Sequence, residues 1–118
     1  MSYFVTGGTG FLGRYLIGNL LKRKGTIHVL VRKDALKKFD ALAKKMGWDS
    51  KRVLPVTGDM TAPKCGLTAA QIRNLTGKVQ HFFHLAAIYD LTASAESQRA
   101  ANIDGTQNAL DLAAALKV

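Results

Sequence analysis

Thr6-Gly7-Gly8-Thr9-Gly10-Phe11-Leu12-Gly13 is the stretch on which the reading of this chain turns. Four glycines fall within it, between the β-rich run Tyr3-Phe4-Val5-Thr6 and the helix-spaced apolar residues Phe11, Tyr15, Leu16, Leu20 and Leu21. Glycines in a G-x-G-x-x-G or G-x-x-G-x-x-G pattern carry little meaning alone. Placed after a strand and opening a helix, they have a physical task. One makes a tight turn, a second lets the backbone approach a pyrophosphate, and a third lets helix and strand pack closely. The free N–H groups of the helix N-terminus then face the phosphates. No Gly-Lys-Ser/Thr follows, so the phosphate loop of ATPases and GTPases is excluded.

Working outward, the helix begun at Phe11 is expected to run to Lys24, with Lys22, Arg23 and Lys24 in its last turn and Gly25 ending it. Thr26–Val31 reads as a second strand. Asp34 is expected to cap a helix with the stripe Leu36, Phe39, Leu42, Ala43 and Met46, closed by Gly47. Arg52–Thr57 reads as a third strand, at a sheet edge because Pro55 lacks an N–H donor. Thr68 caps a short helix through Leu75, and Gly77 closes it. Val79–Ala86 is the fourth strand, and an Ala-rich helix runs from about Ser94 to Leu116. Gly105 inside it marks close packing on a neighbour.

This β-α alternation predicts an α/β fold: a Rossmann-like, doubly wound parallel sheet of order 3-2-1-4, with helices on both faces. Such a sheet continues beyond its fourth strand, so the 118 residues read as the N-terminal portion of one larger NADP-binding domain.

Composition narrows the function. Hydrophobic residues are 47% and charged residues 21%, as in a globular domain with a packed core. No apolar run reaches the roughly 20 residues of a membrane span, and Met1 leads almost directly into a strand-like run, without the charged-then-apolar pattern expected of a signal peptide. The single Cys65 has no disulfide partner and fits a reducing cytoplasm. The net charge of +9 comes from lysines spread over helix faces and ends, without interleaved aromatics, which argues against nucleic-acid binding.

Candidate site residues lie where strands meet loops. Val31-Arg32-Lys33 occupies the position at which NAD-binding units carry a carboxylate for the ribose 2′-hydroxyl. An arginine there pairs instead with a 2′-phosphate, so Arg32 points to NADP (NADPH), or is an ordinary surface arginine. Asp59, after the third strand, can accept from an adenine amino group with Met60 against the ring, or simply form a turn after Gly58. Ala86 and Ala87 leave room for ribose and nicotinamide. His81 and His84 lack further ligands for a metal, and His84 reads as a packed or hydrogen-bonded histidine.

Together Thr6–Gly13, Gly58-Asp59, His84-Leu85-Ala86-Ala87 and Asn102-Ile103-Asp104-Gly105-Thr106-Gln107-Asn108 resemble the extended short-chain dehydrogenase/reductase family. Val29–Arg32, Gly58–Pro63 with Gly66-Leu67-Thr68, and His81–Asp90 are most similar to fatty acyl-CoA reductases and thioester-reductase domains. The resemblance implies NADPH-dependent reduction of a fatty acyl thioester to aldehyde or alcohol. It assigns Thr6, Gly7, Thr9, Gly10, Phe11, Leu12, Gly13, Arg32, Asp59, Met60, Ala86 and Ala87 to the cofactor.

Asn102 matches the family's catalytic asparagine, which holds a water in a proton relay, or is a polar helix-packing residue. The family's catalytic Ser and Tyr-x-x-x-Lys would lie after residue 118, since Tyr3, Tyr15 and Tyr89 are followed four positions on by Gly7, Asn19 and Ala93. This segment alone is therefore expected to be inactive. The resemblance also allows a homodimer through the Ser94–Leu116 helix. Other extended reductases or epimerases acting on sugar nucleotides or hydroxyketones, and non-catalytic dinucleotide sensors, share these motifs.

Overall fold

The computed structural model describes residues 2–85 and 103–118 in full and residues 95–102 by their backbone. Strands β1 (Ser2–Thr6), β2 (Thr26–Val31), β3 (Val53–Thr57) and β4 (His81–His84) alternate with helices α1 (Phe11–Leu20), α2 (Leu36–Met46), α3 (Ala69–Leu75) and α4 (Ala95–Ala115). All pairings are parallel and the order is β3-β2-β1-β4, as expected from the alternation. Pro55 does sit on an edge strand, with β3 joined to the sheet through β2.

Alternating side chains divide the core between the two faces of the sheet. Tyr3, Val5, Ile27, Val29 and Val31 meet Ile17 and Leu20 of α1 and Phe39 of α2 on one face. Phe4 meets Leu75 of α3 and Ala109 and Leu112 of α4 on the other, with Leu116 just beyond α4 and the buried Cys65. Phe4 stacks on its register partner Phe82 with ring centroids 5.0 Å apart. β2 is buried on one face and half-buried on the other.

Several local expectations are corrected. α1 ends at Leu20, and the Lys22–Lys24 segment lies beyond it. The reason is tertiary: the Arg52 guanidinium donates to the carbonyls of Gly25 (3.1 Å), Leu21 (3.0 Å) and Arg23, holding the chain in a tight turn. The buried face of α1 is Gly13, Ile17 and Leu20, while Phe11 and Tyr15 are exposed. Asp34 caps nothing, because α2 starts at Leu36 after Ala35 and a short 3-10 turn. β3 begins one residue late, at Val53, and β4 ends at His84. Thr68 caps α3 as expected, in a reciprocal capping box with Gln71. Gly47 and Gly77 take left-handed backbone at φ 70° and 77°. The neighbour close to Gly105 is the side chain of Met60, whose Cγ would lie 3.0 Å from an added Cβ.

Among the described residues, no helix is long and apolar enough to cross a membrane, and no group of His, Cys, Asp or Glu could hold a metal. Cys65 is buried, and burial pushes its thiol up to about 11, so it stays protonated and unreactive.

Two stability predictions follow from these contacts. Arg52→Ala removes three donors from the turn after α1 and is expected to cost about 1–3 kcal/mol, read as a lower urea midpoint. His28 is half-buried on β2, and burial, with Lys78 adding, lowers its pKa below 6.5. The folded state therefore binds fewer protons than the unfolded one. Stability is full above about pH 6.5 and is lost as the pH falls through that value toward the depressed one. Urea titrations at pH 7.5 and 5.5 should show this loss, and His28→Gln should reduce it.

Candidate functional site

Parallel strands place their C-terminal ends along one edge of the sheet, and the crevice forms where the chain crosses to opposite sides of β1. Gly7 leaves β1 at φ 73°, a left-handed conformation that glycine adopts without strain. Gly10 N donates to Gly7 O at 3.1 Å, and Arg14 N to Gly10 O at 2.9 Å, so turn and helix form one unit. Gly10 is the N-cap and supplies no capping side chain, which leaves the first-turn N–H groups to face outward. The closest contact in this unit is at Gly13. A Cβ there would lie 2.1 Å from Gly7 O and 2.6 Å from Gly8 Cα. Phe11 and Leu12 are exposed in the first turn, and Thr9 O accepts from Arg14 Nε at 2.9 Å.

Thr6 does not line the crevice as expected. It is buried beneath the loop, where its Oγ1 shares a 2.7 Å hydrogen bond with His84 Nδ1 and accepts from Leu85 N at 3.1 Å. This contact ties the end of β1 to the end of β4, and burial lowers the pKa of His84. His84 is thus a hydrogen-bonded histidine, as its sequence setting suggested.

An open cleft of about 420 Å³ lies beyond the ends of β2 and β3. Arg32, Lys33, Asp34, Thr57, Gly58 and Asp59 line it, closed on the far side by Gly66, Thr68 and Gln71. Gln71 Nε2 donates to Thr57 O (3.1 Å) and Oγ1 (3.2 Å), fastening α3 to the tip of β3. Asp59 Oδ1 accepts from Thr61 N at 2.9 Å and Thr61 Oγ1 at 2.7 Å. The Thr61 backbone bond foremost, then its hydroxyl, holds the Asp59 carboxyl below its ordinary range, and the charge of Arg32 adds to this. Asp59 is therefore both a turn-former and a cleft residue.

The turn is held from behind. Lys64, Cys65 and Gly66 all have left-handed backbone, at φ 51°, 56° and 69°. For the two non-glycines that conformation costs roughly 1–2 kcal/mol each. It aims Cys65 O at Asp59 N, 2.8 Å away. The same carbonyl fills the space where a Gly58 Cβ would stand, at 2.3 Å.

Met60 lies outside the cleft lining. Its side chain packs on Gly105 and its carbonyl accepts from Asn108 Nδ2 at 2.9 Å, which ties this turn to α4. Ala86 and Ala87 lie outside the described residues. Asn102 is on α4, described by its backbone only. Lys33, Thr57, Thr68 and Gln71 were not anticipated in the site. The Thr68-x-x-Gln71 capping pattern was visible in sequence, but its junction with Thr57 was not.

A parallel 3-2-1-4 sheet with a glycine loop at the head of α1 defines an NAD(P)-binding domain of the short-chain dehydrogenase/reductase type. The model of an NAD-binding family described as male sterility protein matches residues 5–118, and the chain belongs to that family. A Drosophila melanogaster protein provisionally named fatty acyl-CoA reductase CG8303 is 34% identical over 129 residues, covering 97% of this chain and 23% of the relative. The solved terminal R domain from the myxalamid PKS-NRPS biosynthetic pathway superposes with a TM-score of 0.79 at 32% identity, covering 95% of this chain and 31% of that one. Gre2 of Candida albicans, solved in complex with NADPH, shares the fold with a TM-score of 0.79 at 21% identity over 100% of this chain and 34% of its own. The chain thus spans about a quarter to a third of the length of these proteins.

Gly13→Ala and Gly10→Ala separate packing from binding. At Gly13 an added methyl meets backbone, and a loss of roughly 2 kcal/mol or more is expected, with the melting temperature as the measure. At Gly10 the nearest atom to an added Cβ is 3.4 Å away, so the fold should persist while dinucleotide affinity falls.

Proposed function

We propose that this chain is the NADP-binding portion of an oxidoreductase that reduces a fatty acyl thioester, carried on coenzyme A or a carrier protein, to an aldehyde or alcohol. The observation that carries the reading is the placement of Arg32 and Lys33 in a cleft at the end of β2, the strand paired in parallel with the one that leads into the glycine loop. In this arrangement the first-turn N–H groups of α1 receive the pyrophosphate. The adenosine half lies over the ends of β2 and β3, its 2′-phosphate against the Arg32 guanidinium. Asp59, ionised and held by Thr61, accepts from the adenine amino group.

A nicotinamide dinucleotide held here would supply a hydride. The residues of this chain bind and orient the cofactor, and Asn102 on α4 takes the family's water-holding position. In the family's scheme a tyrosine donates the proton with a lysine lowering its pKa, and that pair, with the acyl-binding part, would have to come from residues other than these 118. The substrate class is supported by membership in the male sterility protein family and by the likeness to the Drosophila reductase and the myxalamid R domain.

Two measurements test this. Fluorescence titration should show NADPH bound more tightly than NADH. Arg32→Ala should weaken NADPH by roughly tenfold or more while sparing NADH, as loss of a charge-assisted phosphate contact requires. An equal loss for both would remove Arg32 from the phosphate site. A longer protein containing this chain should consume NADPH with a long-chain acyl-CoA. If it leaves NADPH untouched with every acyl thioester offered, the substrate class is wrong.

A further inference from the structure

Freed of a capping role, Asp34 stands in the cofactor cleft. Its Oδ1 lies 3.5 Å from Arg32 Nε, and both side chains are largely exposed. Ala35, not Asp34, occupies the N-cap position of α2. Four charged residues line the cleft: Arg32, Lys33, Asp34 and Asp59. Their formal charges cancel. A 2′-phosphate, carrying about −1.5 to −2, therefore enters a neutral cleft and not a cationic one, and it must share Arg32 with a carboxylate already beside it.

We propose that Asp34 is a specificity-determining residue, competing with the 2′-phosphate of NADP for Arg32 and accepting from the ribose 2′-hydroxyl of NAD. The cleft then receives both dinucleotides, with only a modest preference for NADP. The inference rests on the reading that this cleft takes the adenosine half of a dinucleotide.

The chemistry supports a divided role. A carboxylate near the end of β2 is the usual acceptor for a ribose 2′-hydroxyl, and an arginine there is the usual partner of a 2′-phosphate. This chain carries both within three residues, joined to one another. The exposed pair contributes little to stability, since such pairs are screened and mobile. Either member is thus available to a ligand at small cost. When phosphate takes Arg32, the Asp34 charge remains close by and repels it. When a hydroxyl arrives instead, Asp34 accepts from it with Arg32 still at its side. Asp59 does not substitute, because in the proposed pose its carboxylate, held by Thr61 through Oδ1, is turned to the adenine amino group.

The test is isothermal titration of the chain and its Asp34→Asn variant with NADP⁺, NAD⁺, adenosine 2′-monophosphate and adenosine 5′-monophosphate. The native chain should favour NADP⁺ over NAD⁺ by roughly tenfold or less. Asp34→Asn should tighten NADP⁺ and adenosine 2′-monophosphate by roughly three- to tenfold, an effect that shrinks as salt rises, and should loosen NAD⁺. Asparagine keeps the shape and removes the charge, so a purely structural role would shift all four ligands alike. If both dinucleotides bind and Asp34→Asn changes neither, or both equally, the proposal falls while the cofactor reading stands. If no ligand binds the native chain, both fall together.

Discussion

The structure depends first on a backbone contact. Gly13 of α1 lies so close to Gly7 and Gly8 that no side chain fits between helix and loop. This sets the N-terminus of α1 directly over the end of β1. Once that is fixed, Ile17 and Leu20 fall onto the sheet beside Val5, Ile27 and Val29, and the first core layer closes. The same contact turns the unpaired N–H groups of the first turn toward the crevice. Close packing of helix on loop and an outward-facing set of free N–H groups are thus two consequences of one constraint on the same glycines.

A second constraint shapes the other half of the site. The left-handed run Lys64-Cys65-Gly66 is unfavourable locally, yet burial of Cys65 among Phe4, Leu67 and Ala109 holds it in place. Its carbonyl fixes the Asp59 backbone and requires glycine at position 58. From there Met60 reaches Gly105 and Asn108, so the cleft turn is anchored to α4. The buried cysteine contributes shape, with a thiol too basic to ionise near neutral pH. The overall charge of +9 says little about the cleft, where two cations and two carboxylates meet.

The elements that sequence conveyed well are those with local causes. Strand β2 follows from a run with β-branched residues at Thr26, Ile27, Val29 and Val31, and α3 from its Thr68 cap. The elements it conveyed poorly are those decided from a distance or, at Asp34, by a local 3-10 turn. Lys22, Arg23 and Lys24 look like the last turn of α1 because cations suit helix ends, but Arg52, 27 to 31 residues away from the carbonyls it grips, holds that segment in a turn. Asp34 looks like a cap because it precedes an amphipathic stretch, but the intervening 3-10 turn moves the helix start past it. Thr6 belongs to the glycine motif in sequence and to a buried hydrogen bond with His84, 78 residues away, in space.

By itself the sequence determined the order of strands and helices, the parallel sheet with its edge at Pro55, the glycine turn between β1 and α1 and the arginine at the end of β2. Periodicity, turn residues and crossover handedness act over a few residues and need no knowledge of distant partners. Only the tertiary structure decided which face of α1 is buried, where α1 stops, how Asp59 is held, and that Asp34 joins Arg32 in the cleft. The first two depend on side-chain volumes and a guanidinium brought in from distant parts of the chain, and the last two on turn geometry within a few residues of Asp59 and Arg32; neither kind of contact leaves a periodic trace in the sequence.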